Sequence, residues 1–388
     1  MTSATPAGWH QDLGRGAAGT ALARIAAARI TGLPPRATAP WISAMTAGPV
    51  TANASASLFY GAPAVAFVLH TGAHPAYAAM LAALDEHVND LTALKLAATY
   101  ERIERGELTR PGEYDLISGL TGLGAYHLFR HGSAGSGMTA AVLCYLVALA
   151  EPVRKDGEAL PGWWSGTGPA GTPNPAWPGG HLNLGMAHGG AGILALLSGA
   201  MRVGIQVDGH GKAVSELCAT FDRYRQGSSA RPWWPAMISL SEHRQGRTSR
   251  ERQARPSWCY GTPGQARAQQ LAGLALNDRE RMRVAEHALA GCVLNRQVAC
   301  LLTDASLCHG WAGVVQTLWR ATSDALDPRP LQIALREARQ GMEDQLARRG
   351  PASSGLLEGT SGTLLTQNDL SRVGSESPAW DACLLLTL

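Results

Sequence analysis

The sequence predicts an all-α fold, an (α/α) toroid of seven inner and seven outer helices, with a small irregular or β-containing insertion. Three observations predict it. A short glycine step recurs seven times along the 388 residues, with first glycines at 16, 61, 119, 189, 261, 310 and 359, so that each interval of 45 to 72 residues has room for two helices. The run after each step is apolar on most of its circumference, as in a helix buried on several sides. The segments between are amphipathic, as in outer helices with one wet face. Self-similarity at such spacing marks repeat architecture, and an open helical solenoid is the competing arrangement. Residues 1–388 read as one domain.

Taken in order, the steps are Gly16-Ala17-Ala18-Gly19, Gly61-Ala62-Pro63-Ala64 (a weak copy lacking its second glycine), Gly119-Leu120-Thr121-Gly122, Gly189-Gly190-Ala191-Gly192, Gly261-Thr262-Pro263-Gly264, Gly310-Trp311-Ala312-Gly313 and Gly359-Thr360-Ser361-Gly362. The first glycine is expected to permit a sharp turn with positive φ. The second removes a side chain where neighbours approach closely. Inner-helix character is plain in Ile193, Leu194, Leu196, Leu197 and Met201, and in Val314, Val315, Leu318 and Trp319. Outer-helix character is plain from Tyr77 to Arg105, where Met80, Leu81, Leu84, Val88, Leu91 and Leu94 alternate with charged residues. Segments 285–297 and 331–348 are similar. Two excursions interrupt the pattern. Residues 151–184 carry Trp163-Trp164 and prolines 169, 173, 175 and 178, which exclude helix and suggest a β-containing cover over one mouth of the ring. Residues 226–256 form an arginine-rich loop with Trp233-Trp234-Pro235, either in contact with a peptide or merely solvated.

Composition narrows the function. Apolar residues make up 45% of the chain and charged ones 16%, against roughly 25% charged in an average globular chain. With 33 basic and 30 acidic residues, the net charge of +3 excludes nucleic-acid binding by bulk charge. Disorder is excluded by the same numbers. The N-terminus, Met1 to Gly14, lacks the pattern of a signal peptide, and the apolar stretch Met138 to Ala150 is too short to span a membrane. The 7 cysteines are odd in number and scattered, so reduced thiols in a cytoplasm are expected. The 11 tryptophans line a peptide groove or fill the core.

Reactive residues fall in register with the glycine steps. Cys259 and Cys308 each stand two residues before a first glycine, while His309 and His188 each stand one before. Equivalent loops would bring them together at one end of the ring. Two thiolates and an imidazole make a three-ligand zinc site whose fourth position stays open, as in catalytic sites. Without the register, buried structural cysteines would explain the same residues. Cys144, Cys218, Cys292, Cys300 and Cys383 read as small core residues. Asp115, four residues before Gly119, caps a helix or orients an imidazole such as His188. Arg255 and Tyr260 flank Trp258-Cys259; the arginine either holds a carbonyl or enolate oxygen or pairs with an acid.

Together, Ala187-His188-Gly189-Gly190, Arg255-Pro256-Ser257-Trp258-Cys259-Tyr260-Gly261 and Cys308-His309-Gly310 resemble the motifs of the lanthipeptide (lantibiotic) synthetase C cyclases. Tyr114-Asp115-Leu116-Ile117-Ser118-Gly119-Leu120 and Leu357-Glu358-Gly359-Thr360-Ser361-Gly362 match that family's remaining motifs. The resemblance covers essentially the whole chain, and the length suits the stand-alone class I type. It implies a seven-fold (α/α) barrel with one Zn2+ per chain, held by Cys259, Cys308 and His309. It implies His188 as acid/base with Asp115 as its acidic partner, and Arg255 and Tyr260 as active-site residues. The implied reaction adds a peptide cysteine thiol to dehydroalanine or dehydrobutyrine in the same precursor peptide, giving a lanthionine or methyllanthionine thioether ring. The implied partners are a dehydrated precursor peptide with a leader segment, a class I dehydratase and a transporter. Through that complex the cytoplasmic enzyme would associate peripherally with the membrane. On the same resemblance, the 151–184 excursion corresponds to an extra small domain carried within the family. A LanC-like zinc protein that binds glutathione or a partner protein without cyclising a peptide is the alternative. Another toroidal zinc enzyme fits less well, because carboxylates are missing from the metal-site loops.

Overall fold

The computed structural model describes residues 8–249, 252–350, 353–371 and 378–387. Of the segments read above, Met1 to Ala7 and the excursion residues Arg250 and Glu251 lie outside these. Seven inner helices start at the seven glycine steps: Ala17–Thr31, Ala62–Thr71, Leu120–His131, Gly190–Arg202, Thr262–Leu276, Trp311–Ser323 and Thr360–Leu370. Each touches the next, and the last lies against the first. Burial follows the apolar pattern, and every residue of the fourth inner helix from Gly190 to Ala200 is buried. Six outer helices lie among the described residues, at Ala39–Met45, Ala78–Glu104, Gly137–Ala150, His210–Tyr224, Arg279–Leu294 and Pro328–Arg348. The second of these buries Leu81, Leu84, Val88 and Leu91 and leaves Met80 and Leu94 in solvent. Among the described residues no helix is long and apolar enough to cross a membrane.

The glycine steps work differently from expectation. Six of the seven first glycines have extended backbone with negative φ; only Gly61, at φ +77°, is left-handed. What excludes a side chain at the other six is crowding: a Cβ on Gly119 or Gly261 would stand closer than 3.0 Å to the loop backbone four residues earlier. The second glycines admit a carbonyl. A Cβ on Gly19, Gly122, Gly192, Gly264, Gly313 or Gly362 would come within 3.0 Å of the oxygen six residues before it. Each loop therefore folds down onto the first turn of its own inner helix.

Both excursions contain strands, including the one expected to be a loop. Val153–Lys155 pairs with Glu158–Leu160, and Gln226–Ser228 pairs with Arg231–Trp233, each as an antiparallel hairpin. Asp156 and Gly157, both at positive φ, make the first hairpin's turn. His181–Asn183 of the first excursion pairs antiparallel with Met237–Ser239 of the second. His243 Nε2 meets the Ala159 carbonyl at 3.1 Å, tying them again. The tryptophans serve mainly as core: Trp163, Trp164, Trp258 and Trp380 are fully buried. All seven cysteines are free, and Cys218, Cys292 and Cys383 are buried as expected. Cys144 and Cys300 are exposed, which corrects the core reading for those two.

After the seventh inner helix the chain enters the ring as a short turn, Trp380–Leu384, that touches inner helices three, six and seven, and Leu386 just beyond it accepts from Arg267 of inner helix five. The segment is apolar apart from one residue and too short to form an outer helix with a wet face. Its one charge, Asp381, is fully buried. Arg320 donates to it through Nε and Nη2, both at 2.7 Å, and Gln316 Nε2 donates at 2.7 Å. Removing one partner of a buried pair strands the other. Asp381→Ala is therefore expected to lower the unfolding free energy by about 3 kcal/mol or more, measured by urea denaturation. A loss below about 1 kcal/mol would show that Arg320 finds water instead.

His127, on the third inner helix, is buried and shares a 2.9 Å hydrogen bond between Nε2 and Thr92 Oγ1. Burial, reinforced by neighbouring His131, lowers its pKa from 6.5 to about 4. The folded state thus binds this proton less readily than the unfolded chain. Its contribution to stability is complete above about pH 6.5 and is lost as pH falls toward 4, by about 3 kcal/mol in all. Urea unfolding of the wild type and His127→Gln at pH 7.5 and 4.5 checks this. The variant should lose distinctly less stability on acidification, and equal losses would refute the assignment.

Candidate active site

A cavity of about 430 Å³ opens at the loop end of the ring. All seven repeats line it, through Arg15, Tyr60, Ser118, His188, Cys259, Cys308 and Glu358 among others. The loops are stitched to one another by main-chain hydrogen bonds. Leu116 N–H donates to Ala187 O at 3.1 Å, Ala187 N–H to Cys259 O at 3.1 Å, and Cys259 N–H to Cys308 O at 3.2 Å. Cys308 N–H donates to Leu357 O at 2.9 Å, Leu357 N–H to Gly14 O at 2.8 Å, and Leu13 N–H to Phe59 O at 2.9 Å. The register of the repeats is thereby converted into proximity of side chains.

Cys259 and Cys308 meet thiol to thiol. The Cys308 thiol donates to the Cys259 sulfur, which lowers Cys259 from 9.0 to about 7 despite burial, with help from Ser257 and the charges of Arg255 and His188. The same contact, together with burial, holds Cys308 well above the ordinary thiol range. The pair gives up one proton easily and keeps the other, as coupled sites do. Ser257 Oγ lies 3.5 Å from Cys259 Sγ and accepts the Tyr260 N–H at 3.3 Å, so one hydroxyl serves two neighbours.

Of the two roles that the sequence left open, Asp115 takes the second: Gly119 is the N-cap of the third inner helix and receives no side-chain cap bond, while Asp115 braces the loop before it and holds an imidazole. Its Oδ1 accepts the Ser118 and Gly119 N–H groups at 2.6 and 3.0 Å, in the loop that leads into the third inner helix. Its Oδ2 stands 2.5 Å from His188 Nδ1. A carboxylate on Nδ1–H selects the tautomer that leaves Nε2 as an acceptor. Tyr260 stacks on the His188 ring, with centroids 5.7 Å apart and planes at 26°. Burial, then the nearby Cys259 charge, push the Tyr260 hydroxyl upward, and a hydrogen bond with Asn183 partly offsets this. Tyr114 Oη donates to the His188 carbonyl at 3.3 Å.

Two expected residues sit less centrally. Arg255 is exposed and acts on the thiols through its charge, favouring the anionic form of both. His309 turns to Asp304, with Nε2 3.5 Å from Oδ2, in an adjoining depression. The structure brings the two cysteines together and leaves this imidazole beside them on another carboxylate. Among the described residues, no three His, Cys, Asp or Glu side chains are grouped as a metal cluster. Sequence reasoning missed Asp304, Ser257 and Asn183. Ser257 stood inside a quoted motif, whereas Asn183 lies in an excursion with no register to betray it. It also missed the rim ion pair Arg15–Glu358, at 2.8 Å.

The sequence profile of the lanthionine synthetase C-like proteins matches residues 8–385. The chain belongs to that family. It is 25% identical over 271 residues to the nisin biosynthesis protein NisC of Lactococcus lactis subsp. lactis, a stretch covering 68% of this chain and 63% of that protein. The match thus spans less than two thirds of that relative's length. Among solved structures, nisin cyclase superposes with a TM-score of 0.80 at 22% identity, over 98% of this chain and 93% of that one. That likeness bears out the toroidal helical fold.

Separating the two duties of Asp115 tests its place in the site. Asp115→Ser keeps an oxygen for the Ser118 and Gly119 N–H groups but is too short to reach His188. Stability should stay within about 1 kcal/mol of the wild type, while diethyl pyrocarbonate modification of His188, followed by mass spectrometry, should accelerate. Unchanged modification would mean that the carboxylate does not hold the ring.

Proposed function

We propose that this chain closes thioether rings by adding cysteine thiols to dehydroalanine or dehydrobutyrine within one precursor peptide, giving lanthionine and methyllanthionine. One observation carries the reading: in a LanC-like chain, a thiol pair and a carboxylate-held imidazole share a cavity lined by all seven loops. The donor chemistry suits one zinc ion, since paired thiols beside an imidazole are soft ligands that this metal favours. Cys259 and Cys308 would hold it from their observed places, and His309 would join them by turning away from Asp304. Such an ion supplies positive charge that favours the thiolate of an incoming cysteine.

The remaining chemistry falls to side chains. His188 Nε2 takes the proton of the peptide thiol, and Asp115 offsets the charge the ring acquires. Sulfur bonds to Cβ of the dehydro residue, and the former double-bond pair passes to Cα as an enolate. The proton then moves to Cα, so that the product is an isomer of the reactant. Tyr260, stacked on the imidazole, limits rotation of the ring. Arg255 offsets negative charge on the enolate oxygen. Because the acceptor must already be unsaturated, a dehydratase acts on the peptide beforehand. A free thiol pair also needs reducing conditions, which fits a cytoplasmic setting.

Ring closure leaves mass unchanged, so the test counts thiols. A dehydrated precursor incubated with the protein should lose alkylatable cysteines, and metal analysis should find one zinc per chain. His188→Asn should slow closure by about 100-fold or more with metal retained, whereas Cys259→Ser should lose the metal. A zinc-loaded wild type that leaves every peptide thiol open to alkylation would overturn the reading.

A further inference from the structure

We infer that the cleft between the Gln226–Ser228/Arg231–Trp233 hairpin and the Arg279–Leu294 helix binds an acidic, apolar stretch of extended peptide. This stretch is the part of the substrate outside the ring being closed. Its identification as substrate rests on the cyclase reading, but the binding itself does not.

The cleft encloses about 760 Å³, more than the cavity that holds the cysteines. Arg231 and Arg252 line it, and among the described residues no carboxylate does. Both arginines are exposed, and neither is ion-paired among the described residues. Trp233, Val298 and Leu301 form an apolar wall, with Leu301 itself 41% exposed. Residues 226–256 hold 6 arginines and 2 glutamates. One of those glutamates cannot neutralise the cleft. Glu242 is buried and accepts hydrogen bonds from Ser239 N and Oγ at 2.9 Å, Thr248 Oγ1 at 2.9 Å, and Ser249 N and Oγ at 2.8 Å. Positive charge above an apolar wall selects carboxylates interleaved with apolar side chains.

Position links the cleft to the chemistry. Gln253 lines the cleft and donates through Nε2 to Thr262 Oγ1 at 2.6 Å, at the head of the inner helix that follows the Cys259 loop. Cys259 itself follows Gln253 by six residues. A peptide held along this segment therefore lies beside the strand of chain that leads to Cys259. A lining with an apolar wall and two arginines favours peptide over a phosphate backbone, which would need a broad basic face.

The test uses the full-length protein and three fluorescein-labelled probes: a short peptide of alternating Glu and Leu, its Lys counterpart, and a single-stranded oligothymidylate. Anisotropy should show the Glu/Leu peptide binding at least about tenfold tighter than the Lys peptide, with affinity weakened by salt. Arg231→Glu/Arg252→Glu should reverse that preference, and the milder Arg231→Gln/Arg252→Gln should weaken binding without reversing it. Arg247→Glu, on the same excursion but off the cleft, should change nothing. Equal loss in Arg247→Glu, equal affinity for the oligothymidylate, or absence of Glu/Leu binding by the wild type would each overturn the proposal. Binding without ring closure would instead count against the cyclase reading alone.

Discussion

At six of the seven repeats a carbonyl oxygen occupies the space that a side chain on the second glycine would need. That single steric allowance presses each loop onto its own helix and lets its outer edge bond to the next loop. The backbone of Cys259 is thereby fixed from both sides, accepting from Ala187 and donating to Cys308. The sulfurs are neighbours because their peptide groups are neighbours. Exposed loops are ordinarily the most variable part of a fold, but here they are bonded to one another almost as strands are in a sheet.

The site uses this rigidity economically. Asp115 braces the loop before the third inner helix with one oxygen and holds an imidazole with the other, so loop shape and ring orientation are coupled in one side chain. Tyr260 inherits its place from the residue before it, and Ser257 braces both. No long flexible side chain is needed to bring the thiols and His188 into one cavity.

Much of this was legible because repetition is visible in one dimension. Cys259, Cys308 and His188 could be assigned to one end of the ring from their offsets to glycine alone. Offsets say which loop carries a residue; they do not say which way its side chain turns. His309 shows the difference, since its chain position matches expectation while its ring faces Asp304. Glycine spacing reveals the repeat but not its cause, because crowding rather than positive φ excludes a side chain at most first positions. Least legible was the pairing of His181–Asn183 with Met237–Ser239. Strands of three residues carry too little alternation to announce a partner so far along the chain. The same holds for Trp380–Leu384, whose destination inside the ring depends on cavities made by three helices.

That inward turn has a bearing on how the protein comes into being. Trp258, beside Cys259, gives its indole N–H to the carbonyl of Leu384 at 3.0 Å, and Arg15 meets Glu358 across a separation of 343 residues. A nascent chain leaving the ribosome carries most of its reactive groups long before it carries their supports. Topology this non-local slows folding, so the unfinished chain would hold its thiols in loose surroundings, and a shielding chaperone would matter most during that interval.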